Sequence, residues 1–276
     1  MNLWTRFSLA VRRRETPLFD RLYRVASAMR GLSMPVIPGL HGFLYREWQW
    51  RTAAWHNFWR FVYYEPMFKS ACRRVGKGFK MWYAGDGSCR IFGDLHIYIG
   101  ENVTFFDNIS LVGLRLFDSP RLDIGDDSYV GPLSRFMVAK KISIGSHCIL
   151  GSRILLMDNP GHSPDAEKRL VPGGGLPEAE SVRPVSVGDF CFFGAGCVVY
   201  PGANVGDGVV AAAGTHISGA IPPFSAIREN PCRVSRFLPL PPSFQAMFGD
   251  ERWQSWQKAR REYAEAHPDV RGREHL

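Results

Sequence analysis

No run of about 18 uncharged apolar residues occurs in the chain, so the sequence offers no candidate for a membrane-spanning helix. The first residues also make a poor secretory signal, because Arg6 interrupts the apolar part and Arg12 and Arg13 follow it. Cysteine is scarce: Cys72, Cys89, Cys148, Cys191, Cys197 and Cys232 are the only six in 276 residues, and no two form a CxxC pair. That spacing argues against a disulfide scaffold and for a reducing, cytoplasmic compartment. Acidic residues are short at one end only. Residues 1–80 hold 15 Lys and Arg against 4 Asp and Glu, whereas the remainder holds 19 against 22. A partner that wants positive charge is therefore expected at the N-terminal segment. No recognised nucleic-acid module accompanies that segment, so nucleic acid is not the expected partner.

What the chain does contain is a repeat. From Val187 to Ile217 it reads in sixes, with Val187, Phe193, Val199, Val205, Ala211 and Ile217 at the first position. The second position is small at Gly188, Gly194, Gly206 and Ala212, and the fifth is Cys191, Cys197, Ala203, Val209 and Thr215. A period of six is neither helical nor simple alternation. It predicts a parallel β-helix of hexapeptide repeats, in which the chain turns a corner every six residues and one apolar residue per face stacks on its copies above and below. The same phase runs through Ile99, Phe105 and Leu111, then Ile124, Val130 and Phe136, then Ile144, Leu150 and Leu156. The first clean unit therefore stands near residue 95. A loop at 157–186 breaks the period, and long excursions from a rigid frame tend to carry function. The coil is expected to close at Ile221-Pro222-Pro223, since proline cannot continue a ladder.

Around this coil the chain reads as helical. Residues 1–80 form a basic, aromatic N-terminal extension, 81–237 the coil with its loop, and 238–276 a tail with one helix over 242–266. Leu3, Trp4, Phe7 and Val11 fall at helical spacing opposite Arg6, Arg12 and Arg13. Trp48, Trp50, Trp55, Trp59, Tyr63 and Tyr64 crowd together with Arg46, Arg51 and Arg60. Two readings stand side by side: a helical cap on the end of the prism, or an amphipathic segment over 1–72 lying on an anionic membrane surface.

The loop reads His162-x-x-Asp165-Ala166-Glu167-x-Arg169, re-enters the coil through Arg183-Pro184-Val185-Ser186-Val187-Gly188-Asp189, and the coil ends at Asn230-Pro231-Cys232-Arg233-Val234-Ser235-Arg236. These three stretches resemble the hexapeptide-repeat acyltransferases over about residues 95–237, in particular the maltose and galactoside type and the exopolysaccharide and lipopolysaccharide O-acetyltransferases. The resemblance implies a mainly β fold, a left-handed parallel β-helix, usually as a homotrimer. It implies acetyl-CoA as acyl donor, no metal, a sugar or lipid-linked glycan as acceptor, and His162 as general base in direct transfer. Histidine suits the task, because its neutral form can take the hydroxyl proton at pH 7. A carboxylate or a backbone carbonyl would orient the ring; Asp158 and Asp165 are both candidates, and Arg183 stands at the loop's return. By position in the family the donor's pantetheine arm would meet Gly194, Ala195, Ala212, Ala213 and Gly214, with Thr215 as a hydroxyl contact and Arg233 and Arg236 toward the CoA phosphates. The N-terminal extension would seat the enzyme on the inner face of the cytoplasmic membrane, where a lipid-linked acceptor lives.

Phe136–Lys141 lacks the asparagine that contacts sugar in the sugar-specific branch, and Asp158-Asn159-Pro160-Gly161 makes the approach to His162 two residues longer than in that branch, which leaves the acceptor open. An N-acetyltransferase acting on an amino-sugar is the alternative within the class. Outside it stand a catalytically inactive scaffold and a zinc protein of the γ-carbonic-anhydrase kind, which would draw on His147, His162 and His216.

Overall fold

The computed structural model describes residues 2–82, 89–163, 175–228, 233–237, 240 and 242–270, with backbone alone at 233, 235, 236 and 242–244. It divides into two compact units, Met1–Thr52 and Ala53–Leu276.

The first unit is helical: α1 is Leu3–Arg13, α2 is Pro17–Gly31, and α3 is Leu40–Trp59, which runs across the boundary into the second unit. Asn2 caps α1 by accepting from the Thr5 amide at 2.8 Å, and Thr16 caps α2 in the same way at Phe19. Pro17 opens α2, where its missing N–H costs nothing. Among the described residues no helix is long and apolar enough to cross a membrane.

The second unit is a left-handed parallel β-helix. Its described strands form three faces of seven, eight and six strands. Every first-position residue read from the period is inside. Ile99, Phe105, Leu111, Ile124, Val130, Phe136, Ile144, Leu150, Leu156, Val187, Phe193, Val199, Val205, Ala211 and Ile217 are each 4% exposed or less. The register stacks like on like, with Leu122 beside Ile142 and Ile142 beside Val185 on the seven-strand face.

The corners explain the second position. A Cβ on Gly125 would stand 2.5 Å from the Gly145 carbonyl carbon of the next turn, so only glycine lets the turns stack that closely. Two residues further on, the corner needs a positive φ. Asn102, Asp127, His147, Phe190 and Phe224 adopt it at 50–60°, and Gly208 supplies it without strain. The residue between them accepts across the stack: the Asp126 carboxylate takes the Glu101 amide, Asp189 takes the Ser146 amide, and Asp207 takes the Asp189 amide, at 2.6–2.8 Å.

Both ends of the coil differ from the expectation. The first turn starts at Arg74–Val75 and continues through Lys80–Met81 and Arg90–Phe92, about twenty residues before the first clean hexad. Val75 and Met81 keep the six-step, but Ile91 falls out of phase with them. Phe68, on the helix Glu65–Ala71 (α4), closes this end by stacking on Phe79 at 5.6 Å and meeting Phe105 at 5.7 Å. At the other end the coil does not stop at Ile221. Pro222 and Pro223 occupy a corner, where no ladder bond is needed, and Ser225–Arg228 then adds another parallel strand beside Val210–Ala211. The strand Arg233–Phe237 reverses direction and ends the sheet antiparallel.

The tail helix is broken in two by Gly249 at φ 82°, into Pro242–Phe248 (α5) and Asp250–Ala266 (α6). The helix α6 is tied to the stacked corner. Arg252 meets Asp189 at 2.6 Å and Asp207 at 3.0 Å, and the indole N–H of Trp256 donates to Asp207 at 2.7 Å. Trp256 also packs on Phe224 and is almost fully buried. Trp256→Phe therefore removes one donor from a carboxylate that keeps its other partners. We expect a loss of about 1–2 kcal/mol, read by urea unfolding.

Candidate active site

On the turn below the loop, the chain passes from the six-strand face at Arg135–Val138 to the seven-strand face at Lys141–Ile144 through Ala139 and Lys140 alone. One turn higher, the same corner between Leu155–Met157 and Val185–Val187 carries the long loop. Its two ends are tied together, since the Arg183 amide donates to the Asp158 carbonyl at 2.8 Å.

Asp158 is the base of the loop and is fully buried. Its Oδ1 accepts from the Ala139 amide at 2.7 Å and the Asn159 side-chain amide at 2.9 Å; its Oδ2 accepts from the Lys140 and Lys141 amides, both at 2.7 Å. The carboxylate thus clamps the tight corner below to the loop above. Asn159, also buried, extends the clamp by donating to the Met137 carbonyl at 3.0 Å and accepting from the Gly161 amide at 2.9 Å. Gly161 then turns the chain at φ 81°.

His162 follows directly, and its ring is exposed. Nδ1 lies 3.1 Å from the carbonyl oxygen of Gly175. A carbonyl can only accept, so this contact places the proton on Nδ1 and leaves the Nε2 lone pair outward. The Gly175 carbonyl also accepts the Ser163 amide at 3.2 Å, and the buried Ser163 hydroxyl donates to Glu178 at 2.7 Å. Of the orienters expected for His162, the backbone carbonyl is the one in contact. Asp158 is committed to backbone amides instead, and Asp165 lies outside the described residues. Arg183 stands at the neck of the loop, its exposed side chain lying along Gly202. Sequence reasoning missed Gly175, because any residue supplies a carbonyl. It also missed the Asn159 and Ser163–Glu178 contacts, which only the folded loop brings together.

The expected donor residues sit at a different corner, where the eight-strand face passes to the six-strand face. Ala195, Ala212, Ala213 and Gly214 are exposed there, and the Gly214 amide donates to the Ala195 carbonyl at 2.9 Å. Gly194 is buried, and a Cβ on it would stand 2.5 Å from the Ala213 nitrogen. Gly194→Ala should therefore destabilise the coil by about 1–3 kcal/mol through overpacking, visible as a lower denaturant midpoint. Thr215 is buried in the corner, and its hydroxyl donates to the Ala212 carbonyl at 2.8 Å. Arg233 and Arg236 lie on the final strand, and their side chains lie outside the described set. Within one chain the His162 loop and the Ala195–Gly214 corner stand on opposite edges of the six-strand face.

Four of the thiols are quiet. Burial pushes Cys72 and Cys89 up to about 12 and raises Cys197, while a hydrogen bond with Cys148, with burial behind it, raises Cys191. None of these four offers a thiolate nucleophile at neutral pH; Cys232 lies outside the described residues. His147 stacks on Phe190 at 5.0 Å, and His216 meets the Tyr200 hydroxyl at 3.2 Å. Among the described residues no three His, Cys, Asp or Glu gather as a metal would need.

Residues 184–218 match the family model described as the hexapeptide repeat of succinyl-transferase. A Saccharomyces cerevisiae protein provisionally named an acetyltransferase is 32% identical over 141 residues, 51% of this chain and 56% of that one. Staphylococcus aureus proteins with the same provisional name are 39% identical over 57 residues, 21% of this chain and 29% of theirs. The chain thus spans little more than half of the yeast relative and under a third of the staphylococcal ones. An Escherichia coli K12 protein, provisionally named a lipopolysaccharide-biosynthesis O-acetyltransferase, is 28% identical over 154 residues, 53% of this chain and 74% of that one. Among solved structures, a maltose O-acetyltransferase from Clostridium difficile 630 is similar at 22% identity, covering 68% of this chain and 83% of its own, with a TM-score of 0.41. Residues 184–218 thus carry a hexapeptide repeat, and over about half its length the chain is similar to proteins provisionally named acetyltransferases.

Proposed function

We propose that the chain is an acetyl-CoA-dependent O-acetyltransferase that acts on a sugar hydroxyl in exopolysaccharide, lipopolysaccharide or lipid-linked glycan synthesis. The observation that carries this reading is His162: an exposed ring on a rigid pedestal, with Nδ1 held by the Gly175 carbonyl and Nε2 left to accept. Nε2 takes the proton of the acceptor hydroxyl as its oxygen attacks the thioester carbonyl. The new C–O bond forms, the C–S bond breaks, and the imidazolium returns the proton to the departing CoA sulfur. The Gly175 carbonyl stabilises the imidazolium in between. Quiet thiols favour direct transfer over an acyl-cysteine intermediate.

The separation of the His162 loop from the Ala195–Gly214 corner supports a homotrimer. In such an assembly a neighbouring prism brings its own corner, and the pantetheine arm on it, against this loop. The glycan acceptor draws on the Escherichia coli relative, whose name refers to lipopolysaccharide. A location on the inner face of the cytoplasmic membrane follows if that acceptor is lipid-linked.

The test is free-thiol release from acetyl-CoA in the presence of simple sugars, nucleotide sugars, amino-sugars or membrane extract. Release that depends on a hydroxyl acceptor supports the reading, and the responding fraction identifies the acceptor class. Release with amino-sugars alone would move the assignment to an N-acetyltransferase. No release, and no binding of acetyl-CoA, would leave a scaffold.

A further inference from the structure

In α1 and α2 no residue is buried, although both helices are well capped and pack on one another, with Phe7 edge-on to Phe19 at 5.7 Å. The apolar residues are nonetheless sorted. On α2, Leu18, Leu22, Val25 and Met29 recur at steps of four, three and four, which is one helical stripe, and all are 41–65% exposed. The stripe continues past the helix end into Leu32, Met34 and Val36, which are more exposed still. On α1, Leu3, Trp4 and Phe7 form a second exposed face. A soluble helix pair would turn such stripes inward.

The charges say what covers them. Residues 1–37 hold seven arginines, Arg6, Arg12, Arg13, Arg14, Arg21, Arg24 and Arg30, against Glu15 and Asp20. At 100° per residue, Arg21 and Arg30 flank the α2 stripe on either side, whereas Asp20 falls on the far side, bound to Arg24 at 2.8 Å. An apolar stripe bordered by arginines, with its acid turned away, matches an interface that is oily below and anionic above. We propose that α1 and α2 form a docking surface for an anionic lipid bilayer, lying in the headgroup plane with Leu18, Leu22, Val25 and Met29 inserted. The sequence singles out Leu3, Trp4 and Phe7 and the Trp cluster at 46–64, where Trp48, Trp50 and Trp55 are exposed as well; the α2 stripe lies between them. The inference does not depend on acyl transfer, and its test has a separate readout.

The full-length protein is floated with vesicles of phosphatidylcholine alone or mixed with phosphatidylglycerol. It should rise with the mixed vesicles at low salt, rise weakly with the neutral ones, and detach from the mixed ones as salt screens the arginines. Leu22→Glu combined with Met29→Glu should cut vesicle binding by at least about tenfold, because two inserted side chains become charged. Arg21→Gln with Arg30→Gln should lower binding to the mixed vesicles only. The double-glutamate variant should keep the thermal unfolding of the coil and its thioester cleavage. The proposal is overturned if the wild type stays behind with the mixed vesicles at low salt, or if the glutamate variant binds as well as the wild type. It is also overturned if sedimentation shows that the stripe joins two copies of the chain instead, with the glutamate pair separating them.

Discussion

His162→Gln should lose acceptor-dependent thiol release from acetyl-CoA by about 10²–10⁴-fold, the range that a positioned general base contributes. Glutamine keeps a polar side chain of similar reach, so binding of donor and acceptor should survive and the loss should fall on kcat. Stability should barely move, because the ring is exposed and its described contact in the loop is the one to Gly175. A variant that unfolds at the wild-type temperature yet releases no thiol isolates chemistry from folding. A variant with wild-type turnover would remove His162 from the mechanism.

Asp158→Ala should cost about 3 kcal/mol or more, and activity with it. The carboxylate collects three backbone amides and the Asn159 side chain at 2.7–2.9 Å in a fully buried position. Alanine leaves those donors without an acceptor, at about 1–3 kcal/mol for each that water cannot reach. Asp158→Asn is the informative companion. It preserves shape, but turns an amide N–H toward an amide N–H, so it should recover only part of the stability. In the proposed mechanism Asp158 is a positioning residue, acting through the loop base that presents His162. Its loss should therefore lower kcat through a displaced base, and adding more acceptor should not restore the rate. Equilibrium unfolding beside steady-state kinetics reads both effects. If Asp158→Asn kept full stability and lost only turnover, Asp158 would instead touch the reacting groups.

The coil was legible because one physical constraint repeats. Stacked faces demand an apolar residue every six positions, and corners demand a small one after it, so Val187 through Ile217 states the fold almost in full. The first turn was not legible: Val75 and Met81 keep phase, but Ile91 does not, and two hits do not make a period. Pro222 and Pro223 misled in the other direction. Proline ends a strand, but a prism has corners between its strands, and there it fits. His162 could be singled out by its loop and by resemblance, whereas the role of Asp158 could not. An aspartate four residues before a histidine looks like an orienting partner, and only the folded corner reveals three amides already waiting for it. Thr215 taught the same lesson at smaller scale, since its hydroxyl closes a corner that any copy of the repeat must close.

The most direct test of acyl transfer follows the acyl group itself. The protein is incubated with acetyl-CoA labelled on the acetyl carbon and with the acceptor fraction that supports thiol release, and the label is traced by mass spectrometry. Direct transfer through His162 predicts label on the glycan as an ester that mild base removes, and none on the protein. Label that resists mild base would mark an amide and an amine acceptor. Label bound covalently to the protein would contradict direct transfer through His162.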